Sequence, residues 1–151
     1  MSAFLNAARD FGLLALRLAA GGSLLAHGLQ RWIVIGPADS AAALESTGIA
    51  DGSLYVWLAI TFELVGGVLL LFGLATPVVG FGLLVLNVGV IFTVSAAQGF
   101  VGGWEHNALR AAAGLILMTQ GSGRLGVDAL FHRPSDETNS KLIGDEPEFL
   151  A

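Results

Sequence analysis

Four long apolar stretches, roughly 11–35, 54–74, 77–97 and 104–120, constrain this chain more than any other feature. Each is near the ~20 residues that a helix needs to cross about 30 Å of hydrocarbon. The runs are long and do not alternate apolar with polar, which sets strands aside. Each contains several Gly or Ala, as membrane helices do where backbones approach closely. Only 13% of the 151 residues are charged, and the mean hydropathy is +0.74. A soluble domain carries about 25% charged residues, so a chain this apolar cannot cover its own surface in water. The expected fold is all-α: a polytopic membrane protein whose residues 1–131 form one bundle of four transmembrane helices in the lipid bilayer.

The same composition excludes several functions. A net charge of -5 argues against nucleic acid, whose binding needs clustered positive charge. With no cysteine there is no disulfide, no thiolate nucleophile and no Cys-based iron–sulfur or zinc site. His27, His106 and His132 are too few and too scattered for a haem site, and no metal site is expected. Gly102-Gly103 and Gly121-Ser122-Gly123 lack the Lys-Ser/Thr that follows a phosphate loop. Arg17 interrupts the first apolar run, which extends well beyond the length of a secretory signal and reads as a span.

The connections are uneven. Ala75-Thr76-Pro77 reads as a tight turn with Pro opening the third helix. The first connection is long and acidic, and Asp39 or Ser40 could cap a short helix there through Leu44 and Glu45. After the fourth helix, 121–131 reads as a turn and an interfacial segment, and 132–151 as a flexible, acidic, cytoplasmic tail. Arg9, Arg124, Arg133 and Lys141 flank the termini, whereas the first connection between Pro37 and Ser53 has no basic residue. The positive-inside rule then puts both termini in the cytoplasm of a multi-pass protein of the cell membrane. Trp32, Tyr55, Trp57 and Trp104 fall near the outer ends of spans, where amphipathic rings favour the interface.

Ionisable groups inside spans are costly, and they mark either paired or functional positions. Here they are Arg17, His27 and Arg31 in the first helix, Glu63 in the second, and Arg110 in the fourth, which Glu105 and His106 open; Asn87 sits mid-way along the third. At ~100° per residue, Arg17, Gly21, His27, Gly28 and Arg31 share an arc of about 120°. Rise along the helices puts His27 and Arg110 roughly 10 Å below the outer boundary, and Glu63 and Asn87 roughly 15 Å below it. Most of the polar inventory thus converges in the outer half of one bundle. Glu63 is expected to pair with Arg110, with His27 as second choice. A structural ion pair that fixes helix register and a ligand- or proton-handling site are both open readings. Asn87 reads as interhelical glue, and Gly82 and Gly89 as packing contacts.

Taken in order, four sets of residues resemble the DoxX family. They are Leu16-Arg17-Leu18 through Ala26-His27-Gly28-Leu29-Gln30, then Glu63-Leu64-Val65-Gly66-Gly67 with its Leu-rich run, then Glu105-His106-Asn107-Ala108-Leu109, then Gly121-Ser122-Gly123-Arg124-Leu125-Gly126-Val127-Asp128. Position 31 is Arg where members commonly have Lys. The resemblance implies a small four-helix membrane protein, several of whose relatives are linked to respiratory or thiosulfate–quinone redox chemistry. It points to the membrane subunit of a redox-linked complex, itself non-catalytic or part of an oxidoreductase. Such a subunit would have no intrinsic cofactor, a quinone as ligand, redox partner proteins and a capacity to form homo-oligomers. The rival is a non-enzymatic small-solute or lipid carrier, or a scaffold for partner proteins.

Overall fold

The computed structural model describes residues 2–95 and 99–131, and is helical throughout with short turns. Helix α1 spans Ser2–Leu29 and runs on without a break into a wide π turn, Gln30–Ile35. A short helix α2, Pro37–Glu45, follows, then α3, Gly52–Phe72. Helix α4, Thr76–Val90, ends in a second π turn, Ile91–Ser95. Past a wide turn at Phe100–Trp104 comes α5, Glu105–Gln120, and finally one turn of helix, α6, Asp128–Phe131. The expected tail, 132–151, lies outside the described residues, as does the end of the third apolar stretch at 96–98.

Three helices are long and apolar enough to cross a membrane: Phe4–Ile35, Gly52–Phe72 and Thr76–Thr93. The fourth, α5, has 16 residues, about 24 Å of rise. It is short because Gly121 ends it and because its first two turns carry Glu105, His106, Asn107 and Arg110. The first helix starts nine residues before the expected Phe11, since Ala, Leu, Phe and Arg between Ser2 and Asp10 offer nothing that stops a helix. The short helix in the first connection is present, and it opens at Pro37, whose missing N–H costs nothing at a first turn.

Two antiparallel helix pairs make the bundle. In each, a glycine meets a glycine. A Cβ on Gly21 of α1 would stand 2.9 Å from the Gly67 carbonyl oxygen of α3, and one on Gly67 would stand 2.9 Å from the Gly21 oxygen. Gly80 of α4 and Gly114 of α5 approach in the same way, at 2.8 and 2.7 Å. Close backbone approach replaces the hydrophobic drive that helices lack in lipid. Gly82 packs against the Phe62 ring, as expected, but Gly89 has nothing around its Cβ position; it faces away from the neighbouring helices and is not a packing contact. Where the pairs meet, Leu24, Leu70, Leu83 and Leu117 form a fully buried layer with one leucine from each long helix. Large apolar side chains elsewhere, such as Phe11, Phe72, Val78 and Phe92, point outward, the pattern of a bundle whose solvent is hydrocarbon.

The start of α1, the α3–α4 turn and the segment after α5 share one end, here the terminal end; α2 and the other connections share the loop end. The terminal end is closed by the segment after α5. Val127 and Asp128 donate their N–H groups to Phe72 O (3.2 Å) and Gly73 O (3.0 Å), satisfying carbonyls at the end of α3. The Asp128 carboxylate then accepts from the N–H groups of Ala75 (2.8 Å) and Thr76 (2.9 Å), capping α4 from a distant part of the chain. Beneath this clasp lies Arg17, 1% exposed, whose Nη2 donates to Leu125 O at 3.2 Å. Asp128 is the anion that faces its guanidinium. The Asp128→Ala variant leaves the N–H groups of Ala75 and Thr76 uncapped and should lose about 1–2 kcal/mol. The check is thermal melting in detergent, in which a variant as stable as the parent would show that the clasp carries no load.

Candidate functional site

Above the leucine layer, toward the loop end, every long helix turns polar at the same level. One turn past Leu24 on α1 stand His27 and Gly28, with Arg31 one turn further; two turns before Leu70 on α3 stands Glu63. One turn past Leu83 on α4 is Asn87, and two turns before Leu117 on α5 is Arg110. The antiparallel register set by Gly80 against Gly114 and Leu117 puts Asn87 and Arg110 level with each other.

Glu63 is the centre of this layer. Its side chain is 1% exposed, and Gly28 lets α1 come so near that a Cβ there would stand 3.1 Å from Glu63 Cβ. The carboxylate forms an ion pair with Arg31, Nη1 to Oε2 at 3.5 Å. The close ion pair is thus with Arg31 rather than with the expected Arg110, which still faces Glu63 as a second positive charge. Helical side chains lean toward the N-terminus of their helix, and Arg31, a turn beyond Gly28, therefore folds back over Glu63. Its own position stays partly open, at 30% exposure, which keeps water within reach of the guanidinium.

Arg110 belongs to the same electrostatic group, with Glu63 as its opposing charge and Arg31 as a like charge. Its Nη2 is buried and has no hydrogen-bond partner. Glu63 Oε2 has no hydrogen bond either, since 3.5 Å is an ionic contact but too long for one. His27 faces Arg110, His106 and Arg31, and its ring stacks obliquely on that of His106 at 5.5 Å between centroids. His106 is exposed, so the group grades from a sealed acid to an open histidine at the loop end.

Two candidates stand apart. Glu105 turns back on its own helix start, where its Oε1 accepts from Gly102 N–H at 3.2 Å. Arg17 lies at the terminal clasp, ~15 Å along the bundle from His27. Asn87 is fully buried; its Nδ2 donates to Leu83 O within α4, while its Oδ1 has no partner. The five that converge are therefore His27, Arg31, Glu63, His106 and Arg110, with Asn87 level with them. What sequence reasoning missed is the leucine floor. Its signal was present: Glu63 and Leu70, like Arg110 and Leu117, are seven apart, two turns on one face. Among the described residues no group of three or more His, Asp or Glu is placed to hold a metal ion.

Comparison with known proteins gives the family. The DoxX family model matches residues 12–96, which carry α1, α3 and α4. A protein of Bacillus subtilis (strain 168), named "Putative oxidoreductase CatD", is 34% identical over 124 residues, covering 82% of this chain and 90% of the relative. No solved structure matches.

The corrected pairing has a direct check. In double-mutant cycles read by melting in detergent, Glu63→Gln with Arg31→Gln should show a coupling of about 1–3 kcal/mol. Glu63→Gln with Arg110→Gln should show less, because the ion pair within 4 Å is made by Arg31. A larger coupling to Arg110 would reverse the assignment.

Proposed function

The chain belongs to the DoxX family, and from that premise we propose that it is the membrane subunit of a redox-linked complex, with a quinone as the ligand of its polar layer. What supports the reading is a polar layer that keeps three buried atoms without hydrogen bonds, Glu63 Oε2, Arg110 Nη2 and Asn87 Oδ1, and also holds two histidines. A buried donor without a partner costs about 1–3 kcal/mol, and such atoms persist where a ligand or water completes them. The relative named as an oxidoreductase agrees with a redox role.

The residues suit a quinone, which is flat, apolar and bears two carbonyl acceptors. When bound, a quinone supplies two-electron chemistry coupled to two protons. Arg110 would donate from Nη2 to one carbonyl oxygen, and the His27 or His106 ring N–H to the other. Glu63 would hold a proton at Oε2, with Arg31 setting how readily it is held. The leucine floor would keep water of the terminal side away from that proton. Electrons would arrive from a partner protein, as the chain has no cysteine to bind a cluster or cycle as a disulfide. In this reading the chain sits in the cell membrane with both termini in the cytoplasm, and the site opens outward. A small-solute carrier would need a second conformation in which the four leucines part; the layer therefore favours a dead-ended binding site over a passage.

The test is equilibrium binding of a short-chain quinone analogue to the purified protein in detergent. Saturable binding is expected, and Arg110→Gln should weaken it about tenfold, the loss of one charge-assisted hydrogen bond. Binding that never saturates, or that ignores Arg110→Gln while the variant melts normally, would remove the quinone from the account.

A further inference from the structure

Helix α1 projects beyond the bundle at the terminal end, and its core-facing line continues there as polar residues. Asn6, Arg9 and Asp10 of α1, with Gly123 and Arg124 of the segment after α5, line a cavity of about 290 Å³. Two contacts hold its walls together: Arg9 Nη2 donates to Gln120 Oε1 at 2.6 Å, and Arg124 N–H donates to Asp10 Oδ1 at 3.3 Å. The Arg124 side chain itself is exposed and is not used by that contact. Depth is set by the other end. Trp32 stands half exposed at the loop-end interface, and Arg9 lies 23 residues before it, roughly 35 Å of helix. That exceeds the ~30 Å of hydrocarbon and puts the cavity at the headgroup level of the opposite leaflet. Leu5 and Leu125, both well exposed, give the same region apolar surface.

We propose that this cavity binds the headgroup of an anionic phospholipid from the leaflet at the terminal end. Two guanidinium groups against one carboxylate leave one positive charge in excess, which matches one phosphate diester. Arg9 and Arg124 take the phosphate oxygens. Asp10, with one oxygen engaged by the Arg124 backbone, and Asn6 accept from the hydroxyls of a glycerol headgroup. A bound lipid then bridges α1 to the segment after α5, across the thin α1–α5 seam. A free phosphate ion shares the phosphate chemistry, so the two sources must be separated by the test.

The experiment is native mass spectrometry of the full chain released from mild detergent, after incubation with phosphatidylglycerol, phosphatidylethanolamine or phosphatidylcholine in parallel, and with phosphatidylglycerol plus inorganic phosphate. One phosphatidylglycerol should be retained in preference to the other two lipids, and inorganic phosphate should not displace it. Arg124→Gln should lower retention about fivefold, and Arg9→Gln with Arg124→Gln should lower it further. Arg124→Gln keeps the backbone contact to Asp10, so its melting without added lipid should match the parent; Arg9→Gln is the variant that also loosens the wall. Equal retention of all three lipids, or unchanged retention in Arg124→Gln, would overturn the proposal. Displacement by inorganic phosphate would make the site one for the free ion and overturn its assignment to lipid.

Discussion

A carboxylate at the depth of Glu63 has hydrocarbon around its bundle and no bulk water beside it, so the bundle must supply what water would. A charged group at the centre of a bilayer costs at least ~2.5–3.5 kcal/mol if left alone. The compensation here comes from two other helices. Arg31 on α1 makes the ion pair, and Arg110 on α5 adds a second positive charge. These contacts need α1 within backbone reach of α3, which Gly28 and the Gly21–Gly67 contact provide. The acid, the arginines and the glycines are thus one arrangement: remove the close approach and the ion pair loses its geometry.

The leucine layer gives that arrangement its direction. Leu24, Leu70, Leu83 and Leu117 lie directly beneath the polar layer and are fully buried. Below them the only charged side chain in the core, among the described residues, is Arg17, which is committed to the terminal clasp through Leu125 and faces Asp128. The bundle therefore holds two separate polar regions, one closed by the terminal clasp and one facing the loop end, and each keeps buried atoms without hydrogen bonds. A redox ligand in the upper region would exchange protons with the loop side alone. The clasp accounts for much of the segment after α5 without any appeal to catalysis: Gly123 passes close to Asp10, Gly126 to Arg17, and Asp128 caps a helix.

Much of this was legible from residue order. Charge scarcity and apolar length fix the solvent, and the helical rise brings His27, Glu63 and Arg110 to within about 5 Å of one level. Arg31 as partner was not legible. It sits in a π turn, where the 100° step no longer holds, and its reach depends on how near α3 comes. The Asp128 cap was invisible for another reason: it joins positions 52 apart, and no local pattern encodes a helix capped from elsewhere. Gly89 shows the converse. A small residue at a plausible spacing signals packing only when its face meets a neighbour, and that face depends on which helices pair.

The central claim is that a polar layer open to the loop side rests on a sealed leucine floor. The absence of cysteine allows it to be tested cleanly with single cysteines placed one turn apart on α1, His27→Cys and Leu24→Cys, in the reconstituted protein. The measurement is the labelling rate by a membrane-impermeant maleimide added to each side in turn. The account predicts labelling of the His27→Cys protein from the loop side and of the Leu24→Cys protein from neither. Comparable labelling at both positions, or labelling of the His27→Cys protein from the terminal side, would contradict it.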